Sequence, residues 1–483
     1  MAKTPNLLVI LSDQHQHNAM GCAGHPVAQT PNLDALAARG TRFTNAYTPS
    51  PICVPARAAF ASGQYVHQNR LWDNAMPYTG NPRGWGHALQ DQNTPVESVG
   101  KLHYRSDEDD AGFDREHIPM QVHDGIGMVW GSIREEEKRV YYKDVRMMGD
   151  YVGPGESSYT KYDSAVTARA RSWLEDKAAS EDEKPWCLYV GLLAPHHPLV
   201  SPQEFFDLYP LNELPPTKLR PRDGYQQHPW IAKLADAMVG EDGWKNEQER
   251  LTAIAAYYGL VSWMDHNVGQ IVEALKANGL YEDTTIIYSS DHGENLGARG
   301  LWGKMNMYDE SAAIPMILAP APSLDKQAAE TCDTAVSLLD VSETIIEHFS
   351  ASLSGDRPGE SLVKIASAPY DPERIAFSEY HAIGAVSGAF MLRKGPWKYI
   401  HYHGFEPELF NLDEDPEELC ELSKDDAHQD IVKMMFEALC EVCDPTETNR
   451  QAFADQAVLI ESHGGYDKAC KLGAPSSTPP PKT

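Results

Sequence analysis

The chain has 483 residues, 42% of them hydrophobic and 23% charged, and at roughly 100–200 residues per domain it divides into two domains or at most three. Its 41 basic and 70 acidic residues leave a net charge of −29, a surface that repels nucleic acid and polyanionic polymers, so an anionic substrate must be small enough to reach a local basic pocket. No window approaches roughly 18 uninterrupted apolar residues, which excludes a membrane-spanning helix, and the run Leu7 to Leu11 is shorter than a signal-peptide core; a cytoplasmic protein is expected.

In chain order, "NLLVIL" (6–11) is a continuous apolar strand of the kind that a parallel sheet covered on both faces requires. "TPNLDALAARG" (30–40) predicts a helix capped by Thr30 or Asn32 and stopped by Gly40. A helix over 158–178 precedes the strand "WCLYVGLL" (186–193), and a long helical pattern over 246–279 precedes "TTIIYSSDHGE" (284–294), a buried strand with polar residues at its carboxyl end. This alternation predicts an α/β fold with a large, mostly parallel central sheet flanked by helices, whose ligands collect beyond the carboxyl ends of the strands. After residue 370 the pattern changes to short strands and then a helix near 427–442. The expected division is residues 1–370 as the catalytic domain and 371–483 as a smaller α+β domain with a short antiparallel sheet. Its Pro/Ser-rich end, "GAPSSTPPPKT", should be ordered only where a neighbour holds it.

The chemistry gathers at strand ends. Asp13 ends the first strand and Asp291–His292 end a later one, so three oxygen and imidazole ligands could meet at one cation: Ca²⁺, Mg²⁺ or Mn²⁺. Asp265–His266 repeats the DH pair, but inside the long helical pattern, and reads as structural. His15 and His17 read as polar wall rather than ligands. Lys101 and His103 in "GKLH", His196 and His197 in "PHHP", Lys304 in "GLWGK" and Arg57 describe an anion pocket in a very acidic protein. Cys53, in "SPICVPARAAFASG", could by itself be packing, a nucleophile, a metal ligand or a precursor of another group. Eight scattered cysteines make no disulfide framework, and the lone pair Cys440 and Cys443 lacks the partners of a zinc site. Trp72, Trp85, Trp130 and Trp302 lie near these motifs, as core residues or as the lining of an aryl or cationic pocket.

Together these motifs resemble the type I sulfatases of the alkaline phosphatase superfamily. "CVPAR" is similar to their Cys-x-Pro-x-Arg element and "GKLH" to their second signature, with "DQ", "PHHP" and "DHGE…GK" in family order from residue 6 to about 420. Many members carry Asp-Asp first and Ser before the arginine. Here the pairs are Asp13–Gln14 and Ala56–Arg57, the variant of choline sulfatases and phosphonate monoester hydrolases, which leaves open whether Gln14 touches the metal.

The resemblance implies that a formylglycine-generating enzyme oxidises Cys53 to formylglycine, whose hydrate offers one oxygen to attack sulfur and a second to expel sulfate. It implies a single divalent cation, Ca²⁺ first and Mn²⁺ or Mg²⁺ otherwise, held by Asp13, Asp291, His292 and modified Cys53. Arg57 would steady the diol, Lys101 would bridge it to the sulfate and His103 would act as base. His196 and Lys304 would face the leaving oxygen, and Asn74 would contact the substrate. The expected reaction is hydrolysis of a small sulfate ester to an alcohol or phenol and inorganic sulfate. A phosphonate monoester or phosphodiester hydrolase is the alternative, though such relatives tend to replace Lys101 and His103 with hydroxyl residues. No nucleic acid or membrane partner is expected, and a homo-oligomer is left open.

Overall fold

Two apolar layers clamp one eight-stranded sheet. The computed structural model describes residues 4–141, 148, 151–238, 240–324, 331–473 and 478–481. The strands are β1 (Asn6–Asp13), β2 (Thr41–Phe43), β3 (Val96–Lys101), β4 (Arg115–Met120), β5 (Cys187–Pro195), β6 (Thr284–Ser290), β7 (Met316–Ala319) and β8 (Thr331–Cys332). They lie in the order β8-β2-β7-β6-β1-β5-β3-β4. From β6 to β4 the five strands are parallel, and β7 is inserted antiparallel between β6 and β2.

The apolar run of β1 serves both layers because successive side chains point to opposite faces. Leu8 and Ile10 pack with Val190 and with helices of one face, while Leu7, Val9 and Leu11 pack with Phe60 and Ile345 on the other. Burying one such side chain is worth about 1.5–3 kcal/mol. Truncating it, as in Leu8→Ala, costs about 2–5 kcal/mol because the covered layer cannot collapse fully.

The expected helices form as α1 (Pro31–Ala38), α3 (Ser158–Ala178) and α4 (Glu247–Ala277), with α2 (Cys53–Ser62) between the first two and α5 (Leu338–His348) after β8. Thr30 takes the position before α1 without capping it; its hydroxyl donates to Asp34 Oδ1 at 3.0 Å. The cap comes from across the fold. Asp265, on α4, accepts from Asn32 N at 3.2 Å, Asn32 Nδ2 at 2.8 Å and Leu33 N at 2.8 Å. One carboxylate satisfies several helix-start donors at once, so Asp265 is structural, and buried rather than on a solvated face.

After residue 370, β9 (Ile375–Tyr380), β10 (Ala389–Lys394), β11 (Trp397–Tyr402) and β12 (Glu408–Asn411) form a separate antiparallel sheet. It is followed by α6 (Gln429–Val442) and α7 (Pro445–Ser462). Met391 and Tyr402 of this sheet share an apolar cluster with Tyr47, Ile52 and Tyr308. Cys440 is exposed, Cys443 buried, and neither is disulfide-bonded. Among the described residues no helix is long and apolar enough to cross a membrane. Of the C-terminal "GAPSSTPPPKT", residues 474–477, 482 and 483 lie outside the described residues.

Candidate active site

Four neighbouring parallel strands, β6-β1-β5-β3, deliver the chemistry from their carboxyl ends. Asp291 and His292 follow β6, Asp13 ends β1, His196 follows β5, and Lys101 ends β3. Cys53 opens α2, and Asn74 Oδ1 accepts from Val54 N at 3.2 Å, pinning that helix start. The "GK" step needs its glycine. Gly100 has φ +96°, and a Cβ there would lie 2.2 Å from Gly191 O, so β3 and β5 approach closely only without side chains and Lys101 is thrown into the site.

Asp13, Cys53, Asp291 and His292 each offer one donor atom, and these four atoms all lie within 4.8 Å of one another in full burial. His292 Nδ1 lies 3.1 Å from Gly293 O, so Nδ1–H donates there and the Nε2 lone pair faces Cys53 Sγ at 3.2 Å and Asp13 Oδ1 at 3.7 Å. Burial lowers the His292 pKa to about 4, leaving the ring neutral as a metal ligand must be. Two carboxylates, a neutral imidazole and the oxygen that oxidation would place at residue 53 fit one divalent cation.

Two buried carboxylates so close together need compensation. Lys101 Nζ donates to Asp13 Oδ2, Arg57 Nε donates to Asp291 Oδ2 at 2.8 Å, and Arg57 Nη2 lies 3.5 Å from Asp13 Oδ2. Arg57 Nη1 also donates to Lys101 O at 3.1 Å and to the Tyr189 hydroxyl at 3.0 Å. Burial alone would raise the Asp13 pKa. The opposing charges of Lys101, Arg57 and Lys304 hold it well below the usual range. Burial, then Asp13, raises the Cys53 thiol, so an unmodified Cys53 stays protonated and is a poor nucleophile.

Above the donor cluster lies a chamber lined by Lys101, His103, His196, Lys304 and Asn74. His196 Nδ1 is 2.6 Å from His197 O and its Nε2 is 2.9 Å from Lys304 Nζ. Burial and the nearby His197 and Lys304 push the His196 pKa well down, so a neutral ring donates through Nδ1 and accepts the ammonium through Nε2. His103 is likewise held neutral by burial and Lys101. Its Nδ1 is buried without a partner, and its Nε2 lies 3.0 Å from Thr478 Oγ1.

Gln14 does not join the donor cluster. Its Oε1 accepts from Lys304 Nζ at 2.5 Å, and its Nε2 donates to Glu294 Oε2. Gln14, His103 and Met305 take left-handed φ values of 68°, 59° and 87°, a concentration of strained backbone of the sort found where side chains must be aimed. His15 is held by the Tyr288 hydroxyl at 2.7 Å, and neither it nor His17 belongs to the donor cluster. Of the two readings open for the four tryptophans, core and pocket lining, the structure bears out core, for all four are buried. Trp72 donates to Asp455 at 2.7 Å, Trp302 donates to Glu241 at 2.9 Å, Trp85 packs on Phe60 and Phe113, and Trp130 is in the apolar core. All four are large side chains with more to gain from burial than from a wet wall, and Tyr159 is the chamber's aromatic face.

Tyr189, Glu294, Tyr159 and Thr478 are site residues that sequence reasoning missed. Glu294 closes the quoted "SSDHGE", and Tyr189 is the one hydroxyl in an otherwise aliphatic strand, so both carried a signal. Tyr159 and Thr478 carried none.

A parallel sheet that gathers a nucleophile position, a four-donor metal cluster and a ring of cations at its strand ends defines a hydrolase of anionic esters with the alkaline phosphatase-like fold. The chain belongs to the sulfatase family of that superfamily: the Sulfatase family model matches residues 5–351, and the model described as N-sulphoglucosamine sulphohydrolase, C-terminal, matches residues 297–444. It is 32% identical over 437 residues to a choline-sulfatase of Rhizobium meliloti (strain 1021), covering 87% of this chain and 82% of that protein. It is 30% identical over 457 residues to arylsulfatase K of Danio rerio, covering 89% and 83%. The fold is shared with a phosphonate monoester hydrolase of Agrobacterium radiobacter, at TM-score 0.71, 21% identity and coverage of 90% and 95%. It is also shared with a protein solved in complex with its substrate D-glucosamine-2-N,6-O-disulfate, at TM-score 0.72, 23% identity and coverage of 94% and 99%. The protein is thus a sulfuric ester hydrolase.

Proposed function

We propose that this sulfatase hydrolyses a small sulfate ester of an uncharged or acidic alcohol or phenol, with Cys53 in its formylglycine form as nucleophile. The observation that carries the reading is the convergence of Asp13, Cys53, Asp291 and His292 within 4.8 Å beneath a chamber ringed by Lys101 and Lys304. A divalent cation held by those four residues, calcium first, would supply charge neutralisation for the sulfate oxygens and acidify the nucleophilic hydroxyl. Formylglycine, as its hydrate, supplies one hydroxyl to attack and a second to release sulfate.

The remaining work falls to ordinary side chains. Arg57, bonded to Asp291 and the backbone of Lys101 and ion-paired with Asp13, positions the cluster rather than reaching for substrate. Lys101 Nζ, beside Asp13, is placed to hold a sulfate oxygen. Neutral His103, with a free Nδ1, accepts the proton whose loss lets the second hydroxyl expel sulfate. The proton for the leaving oxygen comes from Lys304 Nζ, because neutral His196 already spends its Nε2 lone pair on that ammonium and orients it. Among the described residues no carboxylate lines the chamber, so a cationic leaving group such as choline would face Lys101 and Lys304 with only Tyr159 to receive it.

The test is turnover by metal-loaded protein co-expressed with a formylglycine-generating enzyme, with conversion read by intact mass. Nitrophenyl sulfate should be hydrolysed with a higher kcat/KM than a phenyl phosphonate monoester; the reverse order would establish the phosphonate hydrolase. 3,3-Dimethylbutyl sulfate, whose leaving alcohol is uncharged, should exceed its cationic-headed isostere choline sulfate, and the opposite preference would refute the charge argument.

A further inference from the structure

The chamber described above has one wall that comes from the far end of the chain. Thr478 is only 8% exposed. Its hydroxyl lies 3.0 Å from His103 Nε2, and its carbonyl accepts from the Tyr159 hydroxyl at 2.7 Å. It lines the chamber together with Cys53 and Ile52, and Pro479 and Pro481 continue along the loop after β4, beside Gln121 and His123. The end of β4 also holds the catalytic edge, since Met120 O accepts from His103 N at 2.8 Å.

The approach of this segment is built in. Leu459, Ile460, Ala469 and Leu472 form an apolar cluster with Ala75 and Val129, residues flanking the chamber's rim. Trp130 N donates to Leu472 O at 3.3 Å. Gly473 has φ +110°, and a Cβ there would lie 2.2 Å from Gly127 O, so the backbone passes the rim at a distance only glycine permits. A buried threonine bonded through both its hydroxyl and its carbonyl is a designed wall rather than a loose end.

We propose that Thr478 is a specificity-determining residue that closes the leaving-group side of the chamber against bulky alcohols and phenols. The inference rests on the sulfatase reading of the same chamber. A leaving group must then fit between Tyr159, Ile383 and Thr478, and the Thr478 hydroxyl at His103 keeps that ring turned toward the nucleophile.

The experiment compares the full chain with a variant ending at Gly473 and with Thr478→Ala, each converted at Cys53, metal-loaded and checked for an unchanged melting temperature. kcat/KM is measured for ethyl, nitrophenyl and 4-methylumbelliferyl sulfates. Removal of the tail should raise the ratio of the bulkiest to the smallest ester by roughly tenfold or more, the factor a single misfit group is worth in a packed pocket, with Thr478→Ala moving it the same way by less. An unchanged ratio in both variants would overturn the proposal. A second measurement needs no turnover: in unconverted protein, the alkylation of Cys53 by N-ethylmaleimide, read on its peptide by mass spectrometry, should be faster without the tail. If wild type hydrolyses no sulfate ester yet Cys53 is unmasked by truncation, the sulfatase reading fails and the wall stands. If turnover is robust and neither the ratio nor the labelling rate moves, the wall fails alone.

Discussion

Around Asp309 the chain sets three acids, Asp309, Glu310 and Glu418, against three bases, Lys218, Arg299 and Lys398. Around Asp13 it sets Asp13 and Asp291 against Arg57, Lys101 and Lys304. In the first group every charge meets an opposite one: Lys398 lies 2.5 Å from both Asp309 and Glu418, Lys218 lies 2.5 Å from Glu310, and Arg299 lies 2.9 Å from Glu310 and 3.5 Å from Glu418. Lys398, on β11, thereby ties the small sheet to the segment after β6. In the second group the donor atoms of four residues point at one another, and Lys101 and Lys304 extend past them into a chamber. Both groups are buried charge networks with displaced pKa values, so neither burial nor displacement distinguishes a site. What distinguishes it is convergence: besides their charge pairs, four donor atoms share one point.

That contrast is open to direct attack, beginning where the effect should be greatest. Cys53→Ala should abolish turnover with an unchanged melting curve. Cys53→Ser should accept sulfate once and stall, because a single hydroxyl cannot expel it; steady multiple turnover by the serine variant would contradict the diol mechanism. Next come the groups at the leaving oxygen. Lys304→Ala and His196→Ala should lower kcat/KM for an alkyl sulfate by roughly 10²–10⁴-fold and for a nitrophenyl sulfate far less, since the latter leaves without a proton. A dependence on leaving-group pKa identical to wild type in both variants would remove them from that role, with His197 next to examine.

Removing a ligand charge should be felt in metal affinity. Asp291→Asn should weaken binding by more than the roughly 10–100-fold that an outer partner of a ligand costs, as titration of chelator-stripped protein would measure. Full activity in stripped wild-type protein would disprove the metal assignment. The paired network should respond in stability instead. Lys398→Met strands two buried carboxylates and should cost about 3–5 kcal/mol by denaturant titration; a neutral outcome would mean that the two groups do not differ as described.

The smallest effect is a pH dependence beside the paired network. Glu408 accepts from the Tyr308 hydroxyl at 3.0 and 2.9 Å and from the Tyr402 hydroxyl at 2.9 Å, and burial raises its pKa to about 7. A folded-state pKa above the unfolded one favours the protonated folded form. Its contribution is therefore fully present below about pH 4.5 and is lost as pH rises through about 7. Glu408→Gln should flatten the stability curve over that window; an unchanged slope would show that Glu408 does not titrate there.

The sequence alone determined the parts of this protein whose cause is local. The apolar run of β1 fixed a strand covered on both faces, because its side chains had nowhere else to go. The helices over 158–178 and 246–279 followed from periodicity and caps, and polar residues after β1 and β6 marked the strand ends where a parallel sheet must place its ligands. The Cys-x-Pro-x-Arg element marked Cys53 because its spacing sets Arg57 one turn along the same helix. Tertiary structure decided what depends on partners hundreds of residues away. It turned Gln14 from the metal cluster toward Glu294 and Lys304, gave the cap of α1 to Asp265 instead of Thr30, and buried four tryptophans that could have lined a pocket. It also brought Thr478 back to His103, 375 residues earlier. No periodicity records such a meeting, because its free energy comes from groups that become neighbours only after the sheet has closed and water has left the space between them.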